Sequence, residues 1–247
     1  MILTLIGIGT GNPEHLTLQA IRAINNQDLI LIPRKGKGKT DLAELRRAVC
    51  DEVLTNDATQ IVEFDLPVRD EKTDDYRQRV DDWHDAIAQV WQNAIGGAST
   101  TARVALLIWG DPSLYDSSLR IAARLDPAPQ IEVIPGITSL QALTAAHAIP
   151  INRIGAAFLV TTGRRLRDGG WPQDADTIAV MLDASCAFET LEKENFHIWW
   201  GAYVGMKEQI ICEGRLSDVS AKIIQMRAKA RADHGWIMDI YVLRKES

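Results

Sequence analysis

A short polar turn, Trp109-Gly110-Asp111-Pro112, separates an apolar run from a helical pattern. The run covers residues 104–108 and is long enough for a strand buried on both faces. Open α/β sheets bind ligands at the carboxyl ends of their strands, where turns of this kind lie. Gly110 allows a tight bend or the close approach of a ligand to the backbone. Asp111 and Pro112 equally fit the N-cap and first residue of a helix, so capping and ligand binding are both open for Asp111.

The amino-terminal turn, Gly7-Ile8-Gly9-Thr10-Gly11, begins like a dinucleotide-binding fingerprint. Asn12 stands where the third glycine is required, and no acidic residue ends the second predicted strand, residues 28–32. Both departures argue against a nicotinamide dinucleotide site. The glycines still predict either a close ligand contact or a tight strand-to-helix turn.

Two basic segments are candidates for binding an acidic ligand. The first, residues 34–40, nearly forms a P-loop, but Pro33 occupies the first glycine position and has no amide hydrogen for a phosphate. A nucleotide triphosphatase using Gly38-Lys39-Thr40 is therefore one alternative. The second segment is predicted as a glycine-rich loop over residues 162–176. The basic side chains of the two segments either bind a ligand with several carboxylates or lie in solvated loops. They are Arg34, Lys35, Lys37, Lys39, Arg164, Arg165 and Arg167.

The composition narrows the class of protein. The chain has 247 residues, 46% of them hydrophobic, and carries 27 basic against 33 acidic residues, which argues against a dedicated nucleic-acid-binding protein. Its three cysteines are far apart and predict neither a disulfide framework nor a metal site. We expect a cytoplasmic protein without a signal peptide, a membrane span or a bound metal.

Strands and helices alternate through the first half, whereas the second half ends in closely spaced strands. A helix is predicted over residues 73–95 from apolar residues spaced three and four apart, and another near residues 188–194. The pattern predicts two α/β domains, residues 1–113 and 114–247.

Taken in order, the turns resemble the tetrapyrrole methyltransferases of cobalamin and siroheme synthesis. The resemblance rests on motifs spread over nearly the whole chain: the first turn with Leu16-Thr17, Gly110-Asp111-Pro112, the Pro-Gly-Ile-Thr-Ser turn at residues 135–139, and Glu208-Gln209. Within that family, the first turn and residues 33–47 are most similar to the branch that methylates precorrin-5 at C1 and releases acetate from C20. Another precorrin or uroporphyrinogen methyltransferase is the alternative within the family.

The resemblance implies two αβα domains, a homodimer, and S-adenosylmethionine (SAM) in a cleft between the domains, with S-adenosylhomocysteine (SAH) as the product. It implies a precorrin substrate whose acetate and propionate arms meet the basic segments, and neither nucleic-acid nor membrane partners. The residues that it places at the cofactor are Thr10, Trp109, Gly110, Asp111, Pro112, Thr138, Ser139, Met181 and Leu182.

Three departures from the family pattern concern the predicted cofactor site. Thr10 stands where relatives commonly have proline, Trp109 where they commonly have glycine, and Met181-Leu182-Asp183 where they commonly have Tyr-Met-Gly. Methyl transfer from a sulfonium depends on alignment more than on acid–base groups, so we expect no catalytic triad. Asp183, His15 and His84 are candidate bases for the loss of acetate, but none is assigned a catalytic role. A non-catalytic tetrapyrrole or nucleotide carrier is a further alternative.

Overall fold

The computed structural model describes residues 1–34, 41–68 and 75–246, and the chain divides into two units, Met1–Thr138 and Ser139–Ser247. In the described part of the chain, no helix is long and apolar enough to span a lipid bilayer.

The first unit is built on a five-stranded parallel sheet with the strand order β3-β2-β4-β1-β5. Its elements are β1 (Ile2–Gly7), α1 (Leu18–Ile24), β2 (Leu29–Arg34), α2 (Asp41–Val53), β3 (Gln60–Asp65), α3 (Tyr76–Ile95), β4 (Arg103–Ile108), α4 (Ser118–Ala122) and β5 (Gln130–Ile134).

Helices cover both faces of this sheet. Successive residues of a strand point to opposite faces, and the central strands carry apolar side chains on both, so each face packs against helices. On β4, Val104, Leu106 and Ile108 pack with residues of α3 and α4, whereas Ala105 and Leu107 pack with residues of α1 and α2. The apolar run that predicted a strand buried on both faces is therefore confirmed.

The second unit has a mixed five-stranded sheet with the order β6-β7-β10-β8-β9, in which only β6 and β7 are parallel. Its elements are α5 (Ser139–Ala146), β6 (Leu159–Thr162), α6 (Gly163–Gly169), β7 (Thr177–Met181), β8 (Phe196–Ala202), β9 (Ile210–Arg215), α7 (Leu216–His234) and β10 (Asp239–Lys245). The antiparallel strands at its end match the closely spaced strands of the sequence.

The division between the units follows Thr138, whereas the sequence pattern placed a domain boundary after residue 113. The intervening segment belongs to the first unit because β5 pairs in parallel with β1. In addition, Ile121 of α4 packs in the same core as Leu3 and Leu5 of β1.

Two predictions of local structure were wrong. Residues 163–169 form helix α6 and not a loop, because the Thr162 side chain accepts a hydrogen bond from the Arg165 N–H and Leu166 is buried. The helix predicted near residues 188–194 is instead two short 3-10 segments, Ala187–Thr190 and Lys193–Asn195.

Candidate functional site

The connections of the first sheet separate at β1 and β4, which are neighbours in the sheet. The chain leaves β1 for β2 in one direction and leaves β4 for β5 in the other. A parallel α/β sheet forms a crevice at such a point, outside the carboxyl ends of the strands. The first turn and the turn at residues 109–112 both lie at this edge, as the sequence predicted.

Glycines from three different turns meet there, backbone against backbone. Gly9 and Gly110 form an antiparallel bridge, in which the Gly110 N–H donates to the Gly9 carbonyl at 2.7 Å. A Cβ added to Gly136 would lie 2.1 Å from the Gly110 carbonyl oxygen, and one added to Gly7 would lie 2.6 Å from the Gly136 nitrogen. Because main-chain atoms lie this close, no larger residue fits at Gly7 or Gly136 without moving the turns that follow β1, β4 and β5.

Asp111 connects two of these turns. One carboxylate oxygen accepts from the Gly136 N–H at 2.9 Å, and the other accepts from the Ser113 N–H at 2.8 Å and from the Ser113 hydroxyl. Burial raises the pKa of Asp111, but the hydrogen bonds from Ser113 and Gly136 outweigh it and hold the pKa below its ordinary value.

Of the two alternatives left open for Asp111, the cap of a helix beginning at Pro112 was wrong. The next helix, α4, begins only at Ser118, and the residues between form turns. The carboxylate instead connects the turn after β4 to the turn after β5, a long-range bond that the local pattern of Asp followed by Pro does not reveal.

Thr10 and Trp109, the two departures in the first unit, are both held by contacts within the unit. The buried Thr10 hydroxyl and His15 Nδ1 are 2.9 Å apart and share a hydrogen bond. The half-buried Trp109 side chain stacks under the guanidinium of Arg46, whose central carbon lies 5.2 Å from the ring centroid. The sequence pattern did not single out Arg46, although an arginine on the apolar face of a helix is a recognisable signal.

The turn that follows β5 carries Thr138 and Ser139. Thr138 lies close to Gly110, since a Cβ on that glycine would be 3.6 Å from the Thr138 Cα. Thr138 is half-buried, so it belongs to the accessible part of this edge, and the half-buried Ser139 begins α5 of the second unit. The structure thus brings together the first-unit residues predicted at the cofactor: Thr10, Trp109, Gly110, Asp111, Pro112 and Thr138.

In the second unit, Met181 ends β7 and Leu182 follows it in left-handed backbone, with φ at 53°. The Leu182 side chain is 66% exposed. A large apolar residue that is both exposed and held in this conformation is unusual, and such strain concentrates at functional sites.

Asp183, a candidate base, is buried and its carboxylate is fully occupied. It accepts from the Tyr241 hydroxyl at 2.7 Å, from the Ala187 N–H at 2.6 Å and from the Ser185 N–H at 3.0 Å. A Cβ on Gly163 would lie 2.3 Å from this carboxyl group. These contacts assign Asp183 a role in joining α6, β10 and the segment after β7.

The cations predicted to bind an acidic ligand are in different situations. Arg34 pairs with Asp65 at 3.1 Å and with Glu63 at 3.6 Å, so two carboxylates of its own chain already balance its charge. Arg164, Arg165 and Arg167 lie exposed on α6, where Arg167 donates to the Ser185 hydroxyl at 2.7 Å. Lys35, Lys37 and Lys39 lie outside the described residues, as does Gly38-Lys39-Thr40.

Comparison with known proteins places this arrangement among characterised folds. Residues 2–220 match the tetrapyrrole (corrin/porphyrin) methylases. The chain is 46% identical to the precorrin-6A synthase [deacetylating] of Sinorhizobium sp, over 98% of this chain and 95% of that protein.

Two solved structures extend the comparison. The crystal structure of a cobalamin synthesis related protein (CobF) from Corynebacterium diphtheriae is 36% identical, with a TM-score of 0.84 over 100% of both chains. The uroporphyrin-III C-methyltransferase from Thermus thermophilus, solved with S-adenosyl homocysteine, has a TM-score of 0.60 over 99% of this chain and 97% of its own. It is only 19% identical, so that likeness shows the fold alone.

Proposed function

Because this chain belongs to the tetrapyrrole (corrin/porphyrin) methylase family, we propose that it methylates precorrin-5 at C1 with SAM and releases acetate, the reaction of a deacetylating precorrin-6A synthase. The family resemblance and the α/β fold with two units, both inferred from the sequence, are confirmed. The observation that carries the proposal is the 46% identity to a protein of that name across nearly the full length of both chains.

For the cofactor, we propose SAM at the carboxyl edge of the first sheet. The support is the backbone geometry: glycines of the turns after β1, β4 and β5 lie in close contact, and Asp111 connects the turn after β4 to the turn after β5 by a hydrogen bond. A cofactor recognised by main-chain atoms needs such turns to be held rigidly, since a shift of about 1 Å in a reacting group is costly to the rate. The proposed contacts in this unit are Thr10, Trp109, Gly110, Asp111, Pro112 and Thr138.

In the second unit, the proposed contacts to the cofactor are Ser139, Met181 and Leu182. Leu182 is the best supported of these, because a ligand would cover an apolar side chain that is otherwise exposed on strained backbone.

SAM supplies an electrophilic methyl group on a sulfonium, and the chain must align that group with the acceptor carbon. Alignment at about 3–3.5 Å contributes several kcal/mol without a general base. The methyl moves to C1 of the substrate while its bond to sulfur breaks, leaving SAH. Release of acetate consumes one water, and no residue is assigned to activate it. Asp183 is not proposed for that role because its carboxylate already accepts three hydrogen bonds.

For the substrate, we propose that the acidic arms of the tetrapyrrole meet Arg34, Lys35, Lys37, Lys39, Arg164, Arg165 and Arg167. The exposure of the three arginines on α6 supports this assignment, whereas the ion pairs of Arg34 and the pair of Arg167 with Asp168 compete with it. We also propose a cytoplasmic homodimer, as the family resemblance implies, and size-exclusion chromatography with light scattering tests the oligomeric state.

Titration calorimetry tests the cofactor assignment. We expect SAH to bind and ATP to give no heat of binding. Binding of ATP without SAH would overturn the proposal in favour of a nucleotide-binding protein that uses Gly38-Lys39-Thr40. Binding of a tetrapyrrole by a protein that never forms SAH would instead indicate a carrier.

A further inference from the structure

Helix α2 carries an arginine on the face that packs against the first sheet. Ala43, Val49 and Cys50 are buried on this face, and Arg46 follows Ala43 by three residues and precedes Cys50 by four. Residues three and four apart lie on the same side of a helix. The half-buried Arg46 side chain is therefore directed toward β4 and not toward solvent.

The contacts of the Arg46 guanidinium are with neutral groups. Nε donates to the Leu107 carbonyl at 2.9 Å, Nη1 donates to the Leu42 carbonyl at 3.2 Å, and the Trp109 ring lies beneath. Within the part of the chain that the structure describes, Arg46 forms no ion pair. The next residue, Arg47, differs in this respect because it pairs with Glu63.

A cation that is partly withdrawn from water without a paired anion carries a desolvation cost. Burial lowers the pKa of Arg46 to about 10, although the more distant Asp116 opposes the change. Arg46 therefore stays charged at neutral pH and has further N–H groups that can donate to a ligand. Among its contacts, only the aromatic face of Trp109 offsets part of its positive charge. The Trp109 Nε1 beside it is also buried, with no hydrogen-bond partner among the described residues.

We propose that Arg46, stacked on Trp109 at the end of β4, binds a carboxylate of a ligand at the carboxyl edge of the first sheet. The inference rests on the proposed function, which brings two sources of that group: the amino-acid end of SAM and an acid arm of the tetrapyrrole. A planar guanidinium suits either one, because it can offer two parallel N–H donors to the two oxygens of a carboxylate. The guanidinium stacks on Trp109, the residue that precedes Gly110 in the turn after β4.

The test compares Arg46→Met with the matched control Arg47→Met, which removes a neighbouring charge that already has a carboxylate partner. Calorimetry with SAH and fluorescence quenching with uroporphyrin III, a stable tetrapyrrole with acetate and propionate arms, give the two affinities. We expect Arg46→Met to weaken one of them by about tenfold or more, the loss of a charge-assisted hydrogen bond, while Arg47→Met leaves both within about twofold.

The pattern of loss identifies the carboxylate. Weaker SAH binding alone assigns the amino-acid end of SAM, and weaker porphyrin binding alone assigns an arm of the substrate. We expect the melting temperature of unliganded Arg46→Met to match or exceed that of the wild type, because replacing an unpaired buried charge by an apolar side chain removes its desolvation cost. If Arg46→Met does not fold, Arg46→Gln, which keeps donors for the two carbonyls, is measured in the same way.

Unchanged affinity for both probes in a folded Arg46 variant would overturn this inference and leave the proposed function intact. A wild-type protein that binds neither SAH nor uroporphyrin III would instead overturn the proposed function itself.

Discussion

Replacing Asp111 by asparagine tests whether this residue joins two turns or caps a helix. The carboxylate accepts from Gly136 with one oxygen and from Ser113 with the other. Asparagine keeps one acceptor and places an NH2 group where the second was. If its oxygen faces Gly136, its NH2 group faces the N–H of Ser113, and the reverse orientation sets it against the N–H of Gly136. A simple cap would lose almost nothing, because asparagine caps helices about as well as aspartate.

The expected cost follows from the lost hydrogen bond. A hydrogen bond to a charged group contributes about 1.5–3 kcal/mol, and the half-buried position of Asp111 lowers our expectation to about 1–2 kcal/mol. For a chain of this size, that free energy corresponds to a fall in melting temperature of roughly 2–8 °C. The affinity for SAH should fall as well, because the turn that carries Thr138 loses its connection to Asp111.

The matched control is Asp116→Asn. Asp116 accepts one backbone hydrogen bond with its side chain, from Ser118 at 2.6 Å, and asparagine keeps that acceptor. We expect this variant to lose only a few tenths of a kcal/mol. Differential scanning calorimetry and SAH titration on the same samples make the comparison. Equal melting temperatures for the two variants would refute the assignment of Asp111 as a connection between turns.

Three further predictions concern the same edge and the basic helix. The difference in unfolding free energy between wild type and Asp111→Asn should be constant near neutral pH and should shrink as the pH falls below 3.8, the ordinary pKa of an aspartate. Folding lowers the pKa of Asp111, so its carboxylate stabilises the fold above the pKa of the unfolded chain, and this stability is lost as the pH falls through the pKa of the folded protein. Urea unfolding across that pH range measures the difference, and a difference independent of pH would contradict the prediction. Gly136→Ala should destabilise the protein by about 3 kcal/mol or more, since its Cβ would meet a backbone oxygen at 2.1 Å. The control Gly169→Ala should leave stability unchanged or raise it, because nothing lies within 4 Å of the added Cβ. Equal melting temperatures for the two variants would show that the turns can separate. Removing the charges of Arg164 and Arg165 together should raise the KM for the tetrapyrrole and flatten its salt dependence, with SAH affinity unchanged as the internal control; an unchanged KM would leave these arginines as solvated charges.

The sequence predicted the features that depend on local pattern. The continuous apolar run at residues 104–108 was recognisable as a strand buried on both faces. The glycines of the neighbouring turns marked where the chain bends at the edge of the sheet. Where local signals were ambiguous, prediction failed: Gly163 and Gly169 suggested a loop, but the cap at Thr162 and the buried Leu166 produce a helix.

Features that depend on long-range contacts were beyond the sequence pattern. The bond between Asp111 and Gly136 joins residues that are distant in the chain, so the sequence pattern offered only a helix cap or a ligand contact for Asp111. The sequence pattern placed a domain boundary after residue 113, and only the pairing of β5 with β1 assigns the residues up to Thr138 to the first unit. Arg46 could have been noticed on an apolar helix face, but its stacking on Trp109 required the structure.

We propose that methyl transfer and loss of acetate occur on the same molecule of substrate bound to this protein. Incubating the protein with SAM and precorrin-5 under anaerobic conditions, and quantifying SAH and acetate in the same quenched sample, tests it most directly. We predict that the two products form in equal amounts and at the same rate. Formation of SAH without acetate would contradict the claim and indicate another precorrin or uroporphyrinogen methyltransferase, and formation of neither would contradict it altogether.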